Sequence, residues 1–516
     1  MVYIRAVFMA FSFALTFLFF LYGFNHYYLL GASLRYKPPK LPRDPMARKP
    51  RVAIHLPVYN EKYVIHRLVS ACASMAESYG MDRVKIVIID DSDDETVQVI
   101  DQEIADYRAK HFDIEVLRRL SRQGYKAGAL QAALDRTGEE FVGVFDADFA
   151  PPPDFLTRCV PFFLQNERLG IIQSRWTHLN RSYNVLTNAI ATGIDVHFLI
   201  EQSGRYATGC LQNFNGSGGI IRTEALRQAG GWQSDTLAED LDASYRVQLQ
   251  GYRIMYLQDL HCPGEVPPTV PSFKKQQGRW ACGSLRTAKK LLPALLTSRD
   301  FGFKQRLEAL IHLTGYLVHP LMFFSFVLAC LAALLRVDIF NVDVMVSNLE
   351  VSALIGMINS PGTLAPRYLV WTLVGLLIVL CTIAAWIPPL VALKQQPLSL
   401  WQKFYCFVIL FFLGCGISLS NTIEAGKALL TNRDWAFKRT PKYAVRYGKE
   451  KWRNKSYQVS LDFVCVLELV FVCLGGVSIA SSIWSSNFGA LLILIPFTAA
   501  YTFVFFLTIL QSRQGA

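Results

Sequence analysis

Phe145-Asp146-Ala147-Asp148 is the stretch on which the fold of this chain turns. Val142, Val144 and Phe145 form the short apolar run that a buried strand needs, and Pro151-Pro152-Pro153 ends it. Residues i and i+2 of a strand project to one side, so Asp146 and Asp148 lie side by side. Adjacent carboxylates repel unless a cation sits between them. A divalent cation with oxygen ligands, Mg2+ or Mn2+, fits and usually brings phosphates with it. A strand-end turn whose aspartates cap a helix is the competing reading of the same residues.

Upstream of this stretch the pattern repeats. Val52–Leu56 is a strand, Pro57-Val58-Tyr59-Asn60-Glu61 a turn, and a helix follows to about Met75. Val84–Ile89 is a second strand that runs into Asp90-Asp91, and Ile114–Leu117 a third. A loop through Arg122-Gln123-Gly124-Tyr125-Lys126-Ala127-Gly128 then opens another helix. Strand–helix alternation predicts a parallel sheet covered by helices on both faces. In such sheets ligands sit beyond the carboxyl ends of the strands. Pro57–Glu61, Asp90/Asp91 and Asp146/Asp148 therefore converge on one crevice, as a nucleotide site requires.

The chain has 516 residues, a hydrophobic fraction of 52% and a net charge of +12, enough for two or more domains. The apolar excess is local. Ala6–Phe24, Leu313–Leu335, Leu369–Leu393, Phe404–Leu419, Phe463–Ile483 and Phe488–Leu510 are long uncharged or nearly uncharged runs, which predict a membrane-integrated, multi-pass protein in contact with lipid. Arg35, Lys37, Lys40, Arg43, Arg48, Lys49 and Arg51 flank the first run and place the following domain in the cytoplasm. The basic residues cluster beside apolar runs, where headgroups and topology explain them, so no nucleic-acid partner is expected. The 11 cysteines have no metal spacing and predict no disulfide framework. If Phe404–Leu419 crossed fully, the basic stretch Lys427–Lys455 would land outside, against the positive-inside rule, so that run is expected to be interfacial or re-entrant. The resulting division is an N-terminal transmembrane helix (1–30), a basic linker (31–50), an α/β domain (51–290), interfacial and transmembrane helices (291–426), a basic cytosolic loop (427–457) and a C-terminal hairpin (458–516). Glu468 stands alone in an apolar run and predicts a polar partner or a wet path.

Beyond Asp148 come a strand at Ile171–Trp176, the Gly-rich turn Phe214-Asn215-Gly216-Ser217-Gly218-Gly219, an apparent helix opened by Leu237-Ala238-Glu239-Asp240, and Gln276-Gln277-Gly278-Arg279-Trp280. The Gly-rich turn is not a Walker loop, and a hairpin turn explains it equally well. Acidic residues at a helix start are ordinary capping, and Arg279-Trp280 beside Lys274 and Lys275 suits a membrane-surface helix face.

Taken together and in order, Asp90/Asp91, Asp146-Ala147-Asp148, Glu239-Asp240 and Gln276-x-x-Arg279-Trp280 resemble the motifs of the processive membrane glycosyltransferases of family 2, over roughly residues 50–290. Gly124–Leu130, Gln173-Ser174-Arg175-Trp176, Phe214-Asn215-Gly216 and Ala229-Gly230-Gly231-Trp232 are similar to the cellulose synthase-like mannan and glucan synthases. Leu237-Ala238 before Glu239-Asp240 departs from the family's usual wording.

The resemblance implies a nucleotide-sugar-binding domain of the GT-A type, an inverting hexosyl transfer, and a β-linked polymer, of β-1,4 linkage, passed through the chain's own helices. It implies Mg2+ or Mn2+ on Asp146 and Asp148, and Asp240 as general base supported by Glu239. Donor contacts fall to Tyr59, Glu61, Asp90, Asp91, Lys126 and Arg279, and to Thr440 and Lys442 in a loose match to the family's gating loop around Asp434–Lys442. Acceptor contacts fall to Gln276, Trp280 and Phe214-Asn215-Gly216. The donor is a nucleotide sugar such as GDP-mannose or UDP-glucose and the acceptor a growing polysaccharide. Transfer of one hexose to a membrane lipid is the alternative, and an inactive nucleotide-sugar sensor a third possibility. Neither the donor nor the oligomeric state follows from the residues.

Overall fold

The computed structural model describes residues 2–42, 48–337, 376, 379–380, 383–431, 440, 442–445, 461 and 463–513. It divides into two compact units, one of Leu29–Thr314 with Gly426–Val459, the other of Met1–Tyr28, Gly315–Ala425 and Ser460–Ala516.

The first unit is built on seven strands: β1 (Val52–Val58), β2 (Val84–Asp90), β3 (Asp113–Arg118), β4 (Phe141–Val144), β5 (Leu169–His178), β6 (Gly219–Arg222) and β7 (Arg253–Gly264). Their order is β3-β2-β1-β4-β6-β5-β7. The first four are parallel, as the alternating pattern predicts, with Val52 opposite Val84 and Phe141, and Val58 opposite Asp90. The expectation of an all-parallel sheet fails at β6, which runs antiparallel to both β4 and β5. The reason is where β6 begins. Gly219 pairs with Val144, the last residue of β4, so the strand starts at the carboxyl end of the sheet and must run back. The Gly-rich turn is therefore not a hairpin turn, because helices separate β6 in sequence from both of its neighbours.

Period-2 alternation sends strand side chains to opposite faces, and both faces are covered. Ile54, Leu56, Ile86 and Ile88 pack with Leu68, Val69 and Cys72 of helix Ile65–Tyr79 and with Phe155 and Val160 of helix Phe155–Gln165. On the other face Val87, Ile89, Val142 and Val144 pack with Leu130 and Ala133 of helix Tyr125–Leu134 and with Ala243 and Val247 of helix Glu239–Leu249. Full burial of each such side chain contributes about 1.5–3 kcal/mol. A third cluster holds Tyr245 against Leu291 and Leu295 of the 28-residue helix Val270–Thr297 and against Ala309 and Leu313 of helix Phe303–Leu313. Gly283 lets the long helix approach closely, since a Cβ there would lie 2.9 Å from the Ala238 nitrogen. That contact fixes the start of helix Glu239–Leu249.

Among the described residues, Ala10–Ser33, whose last five residues belong to the first unit, and Gly315–Leu334, Phe463–Trp484 and Phe488–Ser512 of the second unit are long and apolar enough to cross a membrane. Leu400–Gly416 and Ser418–Leu430 make a fifth if taken as one span, but they meet at a 42° bend. The break falls inside the run expected to be interfacial or re-entrant. Phe326, Ala329, Cys330, Leu494 and Tyr501 form this unit's core, where the buried hydroxyls of Tyr501 and Ser418 pair at 2.8 Å. Glu468 is fully buried in helix Phe463–Trp484. Residues 369–375, 377–378 and 381–382 of the predicted span Leu369–Leu393, and all of the 427–457 loop except 427–431, 440 and 442–445, lie outside the described residues.

Phe145 and Phe155 are fully buried, with their rings edge to face at 5.1 Å. Phe155→Ala is expected to cost about 3–5 kcal/mol. Fluorescence-detected size-exclusion after a heating series would show this as a clearly lowered unfolding midpoint.

Candidate active site

A cavity opens where β1, β2 and β4 end. Tyr59 and Glu61 follow β1, Asp91 follows β2, and Asp146 and Asp148 follow β4. All of them line the cavity. The opposite wall comes from elements distant in sequence. Gln276, Arg279 and Trp280, spaced i, i+3 and i+4 on the long helix, share one face and reach the same space. Glu239 and Asp240 stand at the start of their helix but do not cap it. Its N-cap is Ala238, with no side-chain hydrogen bond. Asn215 and Thr440 complete the set of lining residues expected from sequence.

Charge organises the cavity. The Lys126 Nζ lies 2.8 Å from Asp146 Oδ1 and 3.2 Å from Glu239 Oε1, and donates to the Gly216 carbonyl at 3.0 Å. Burial disfavours its charge, but Asp146, Glu239 and Asp240 outweigh burial and hold the ammonium above its ordinary value. Burial raises the Asp146 carboxyl, with Asp148 adding repulsion and Lys126 opposing it. Asp240 faces the cavity but is enclosed by protein. Burial, then the neighbouring Glu239 carboxylate, pushes it up to about 7. Lys442 does not line the cavity, but it pairs with Asp148 Oδ2, and Thr440 Oγ1 accepts from Arg279 Nη2 at 3.0 Å. Burial lowers Arg279 from its ordinary value, against the pull of four carboxylates.

The Gly-rich turn is held from β5. Gln173 Oε1 accepts from the Asn215 amide at 2.8 Å, Trp176 Nε1 donates to the Ser217 carbonyl at 2.9 Å, and the Asp146 amide donates to Ser217 Oγ at 3.0 Å. Gly216 has φ +81°, and a Cβ there would lie 2.7 Å from Asp240 Oδ2. The turn and the carboxylate thus pack directly against each other.

Four expected site residues do not line the cavity: Gly216 and Lys442 reach it only through Asp240 and Asp148, and Phe214 and Asp90 are placed elsewhere. Phe214 is 1% exposed and packs in the core against Trp232, so it is not at the acceptor wall. An aromatic ring in this turn contributes more packed against the sheet face than at a polar rim. Asp90 is buried below the cavity, where its carboxylate accepts from Arg118 Nε and the Ser92 amide. Asp91 does face the cavity, but Arg119 engages both of its oxygens. Trp176, His178, Arg122 and Glu265 line the cavity without having been singled out. Trp176 and Arg122 lie inside quoted stretches, Gln173–Trp176 and the loop before Lys126. His178 and Glu265, at the ends of β5 and β7, carry no spacing signal.

A divalent cation fits the Asp146/Asp148 pair. Asp148 is 2% exposed, and its Oδ1 is buried with no hydrogen-bond partner among the described residues. Each carboxylate already holds an ammonium group, Lys126 or Lys442. No three described His, Cys, Asp or Glu side chains converge as a metal cage. Two carboxylates suit a cation that completes its shell with phosphate oxygens and water.

The description "Glycosyl transferase family group 2" belongs to a family model that matches residues 141–419, and "Glycosyl transferase family 2" to one that matches residues 53–208. Glucomannan 4-beta-mannosyltransferase 2 of Arabidopsis thaliana is 33% identical over 327 residues, covering 61% of this chain and 59% of its own length. Probable glucomannan 4-beta-mannosyltransferase 9 of Oryza sativa subsp. japonica is 32% identical over 333 residues, 63% of this chain and 62% of its own. The chain thus spans about three-fifths of the length of these curated relatives. The solved structure titled mannosyltransferase PcManGT from Pyrobaculum calidifontis in complex with GDP-Man and Mn2+ is 20% identical, covering 73% of this chain and 98% of that one. At its TM-score of 0.48 the likeness carries no structural argument.

Because Glu239 repels the ionised Asp240, Glu239→Gln is expected to lower the Asp240 pKa. In infrared difference spectra taken against Asp240→Asn, the protonated-carboxyl band should vanish near pH 7 in the parent and at lower pH in Glu239→Gln.

Proposed function

The chain belongs to glycosyl transferase family group 2, and on that premise we propose that it is a membrane polysaccharide synthase that extends a β-linked, mannose-containing hexan, with β-1,4 linkage, from a nucleotide sugar. The observation that carries this reading is the position of Asp240. A carboxyl pushed up to about 7 shares one cavity with the Asp146/Asp148 pair and with the Gln276–Arg279–Trp280 face.

Transfer needs an acceptor hydroxyl to attack the anomeric carbon as the nucleoside diphosphate leaves. The hydroxyl is a weak nucleophile, and Asp240 accepts its proton. A base with a pKa near the working pH is suited to that task. Glu239 positions Lys126 through their ion pair and, by repulsion, tunes Asp240. The planar fork of Arg279 binds the diphosphate, joined by Lys126 and, from the 440–445 segment, by Thr440 and Lys442. Mg2+ or Mn2+ held by Asp146 and Asp148 supplies further positive charge for the leaving group. Trp280 offers an indole face to the apolar side of the acceptor sugar, and Gln276 and Asn215 offer hydrogen bonds. A single displacement inverts the anomeric centre, so an α-linked donor gives a β-linked product.

The names of the curated relatives, glucomannan mannosyltransferases, support mannose as a transferred sugar. The neighbour solved with GDP-Man and Mn2+ names a donor and a metal of the expected kinds. In this reading the sheet unit, residues 51–290, is cytoplasmic behind the basic flank 35–51, and the apolar helices cross the membrane and pass the polymer. Those helices are more than an anchor needs.

The test is purified full-length protein in detergent with Mg2+ or Mn2+ and radiolabelled GDP- and UDP-hexoses, with products sorted by size and enzyme digestion. A long product cut by β-mannanase is expected. A single sugar on an organic-extractable lipid would instead establish the one-step lipid transferase. Asp240→Asn should lower turnover by about 10²- to 10⁴-fold, and the parent's rate should rise with pH along a limb near 7, since the base must be ionised. Asp148→Asn should raise the Mn2+ concentration needed for half-maximal activity, and chelation should abolish turnover until metal is restored.

A further inference from the structure

Arg122 is a cavity-lining residue that the mechanism leaves without a task. Its guanidinium lies 3.3 Å over the Tyr59 ring, with Tyr125 at 5.6 Å. Its Nε–H is buried with no hydrogen-bond partner among the described residues. The loop that presents it is braced. Arg119, paired to the Asp91 carboxylate, also donates to the carbonyls of Gln123 at 2.8 Å and Tyr125 at 3.0 Å. Tyr125 itself takes φ +48°, a conformation that costs a bulky residue free energy and persists only where its surroundings impose it. A stacked, braced arginine with an idle donor is preorganised for a ligand, not for the fold.

The topology says which part of the ligand it meets. Arg122 follows β3 and Tyr59 follows β1, in the sheet order β3-β2-β1-β4. Asp146 and Asp148 follow β4, and Asp240 lies against Gly216 just before β6. With the diphosphate beside Asp146, Asp148 and Arg279 and the sugar toward Asp240, the nucleobase falls toward the β2–β3 side, where Arg122 is.

We propose that Arg122 selects the nucleobase of the donor, its fork of parallel N–H donors matching the adjacent O6 and N7 acceptors of guanine. Uracil offers an acceptor, a donor and an acceptor in turn, so the fork meets an N–H where it needs a lone pair. Adenine puts an amino group beside N7 and fails for the same reason. Stacking on Tyr59 fixes the guanidinium plane and limits the ordering needed on binding. The proposal rests on the cavity being a nucleotide-sugar site and adds which nucleotide it takes and which residue decides.

The test uses full-length protein in detergent and nucleotides alone as probes: GDP, UDP, inosine diphosphate and 7-deaza-GDP, with affinities from calorimetry at fixed Mn2+. The parent should bind GDP about 5- to 150-fold more tightly than UDP, the range of one bidentate arginine–guanine pair. Inosine diphosphate keeps O6 and N7 and should retain most of that preference. 7-Deaza-GDP keeps the stacking surface but lacks N7, and should lose most of it. In Arg122→Gln, GDP and 7-deaza-GDP should converge while UDP stays unchanged, and the KM for the GDP-sugar should rise with kcat preserved. Equal or tighter UDP binding by the parent, undiminished binding of 7-deaza-GDP, or an equal loss of GDP and UDP affinity in Arg122→Gln would each overturn the assignment. The analogue series on the parent needs no variant to fold. Transfer from UDP-hexoses with no guanine preference would sink this inference and leave the synthase standing. The expected binding pattern with no sugar transfer from any donor would sink the synthase and keep Arg122 as a guanine reader.

Discussion

Carboxylates crowd one cavity, and the balance of their charge governs how the rest of the sheet unit is arranged. Asp146, Asp148, Glu239 and Asp240 face one cavity, Asp148 deeply buried and Asp146 partly exposed. Unpaired, such a group would be strongly penalised, because desolvation and mutual repulsion both oppose ionisation. Lys126 and Lys442 meet the charge directly, and Arg279 lies within reach of all four. These pairs are partly buried, so each is screened less than a surface ion pair and each cation holds a segment in place. Lys126 ties helix Tyr125–Leu134 to the end of β4 and to the start of helix Glu239–Leu249. Thr440 and Lys442 tie residues 440 and 442–445 to the same point. Among the described residues no cation pairs with Asp240, and burial, followed by the neighbouring Glu239 charge, pushes its carboxyl up to about 7.

A layer of neutral contacts keeps these charges at their distances. Gln173, Ser174 and Trp176 hold the backbone of the Gly-rich turn. Ser217 passes that order to the Asp146 amide. Gly216 and Gly283 supply two close approaches that a methyl group would block, one against Asp240 and one against Ala238. Arg67 donates to the Asp148 carbonyl at 3.1 Å while its other terminal nitrogen pairs with buried Glu265 at 2.7 Å. Buried polar groups of this kind must be satisfied or they destabilise the fold, so site geometry and stability are enforced by the same hydrogen bonds.

Local patterning made the strands and the cavity wall legible. Val52–Leu56, Val84–Ile89 and Ile114–Leu117 are visible because a strand buried on both faces is a short apolar run, and each matches an observed strand to within two residues at either end. Leu241, Tyr245 and Leu249 recur every four residues in the sequence and face one cluster. Phe214 and Asp90 were misplaced because a motif gives residue types in order, not the direction of each side chain. Arg122 was overlooked because nothing in its neighbours' spacing announces stacking on Tyr59, which comes from the end of another strand.

The sequence by itself determined the α/β alternation, the apolar runs and the order of the charged motifs, because each depends on residues within a few positions of one another. The tertiary structure alone decided that β6 runs antiparallel, that Lys126 and not a helix cap answers Glu239, and that Asp240 is pushed up to about 7. These depend on burial and on contacts between residues far apart in sequence, as when Lys126 meets Glu239. Desolvation and through-space repulsion are set by what surrounds a group, and that becomes fixed only when the sheet and helices close over it.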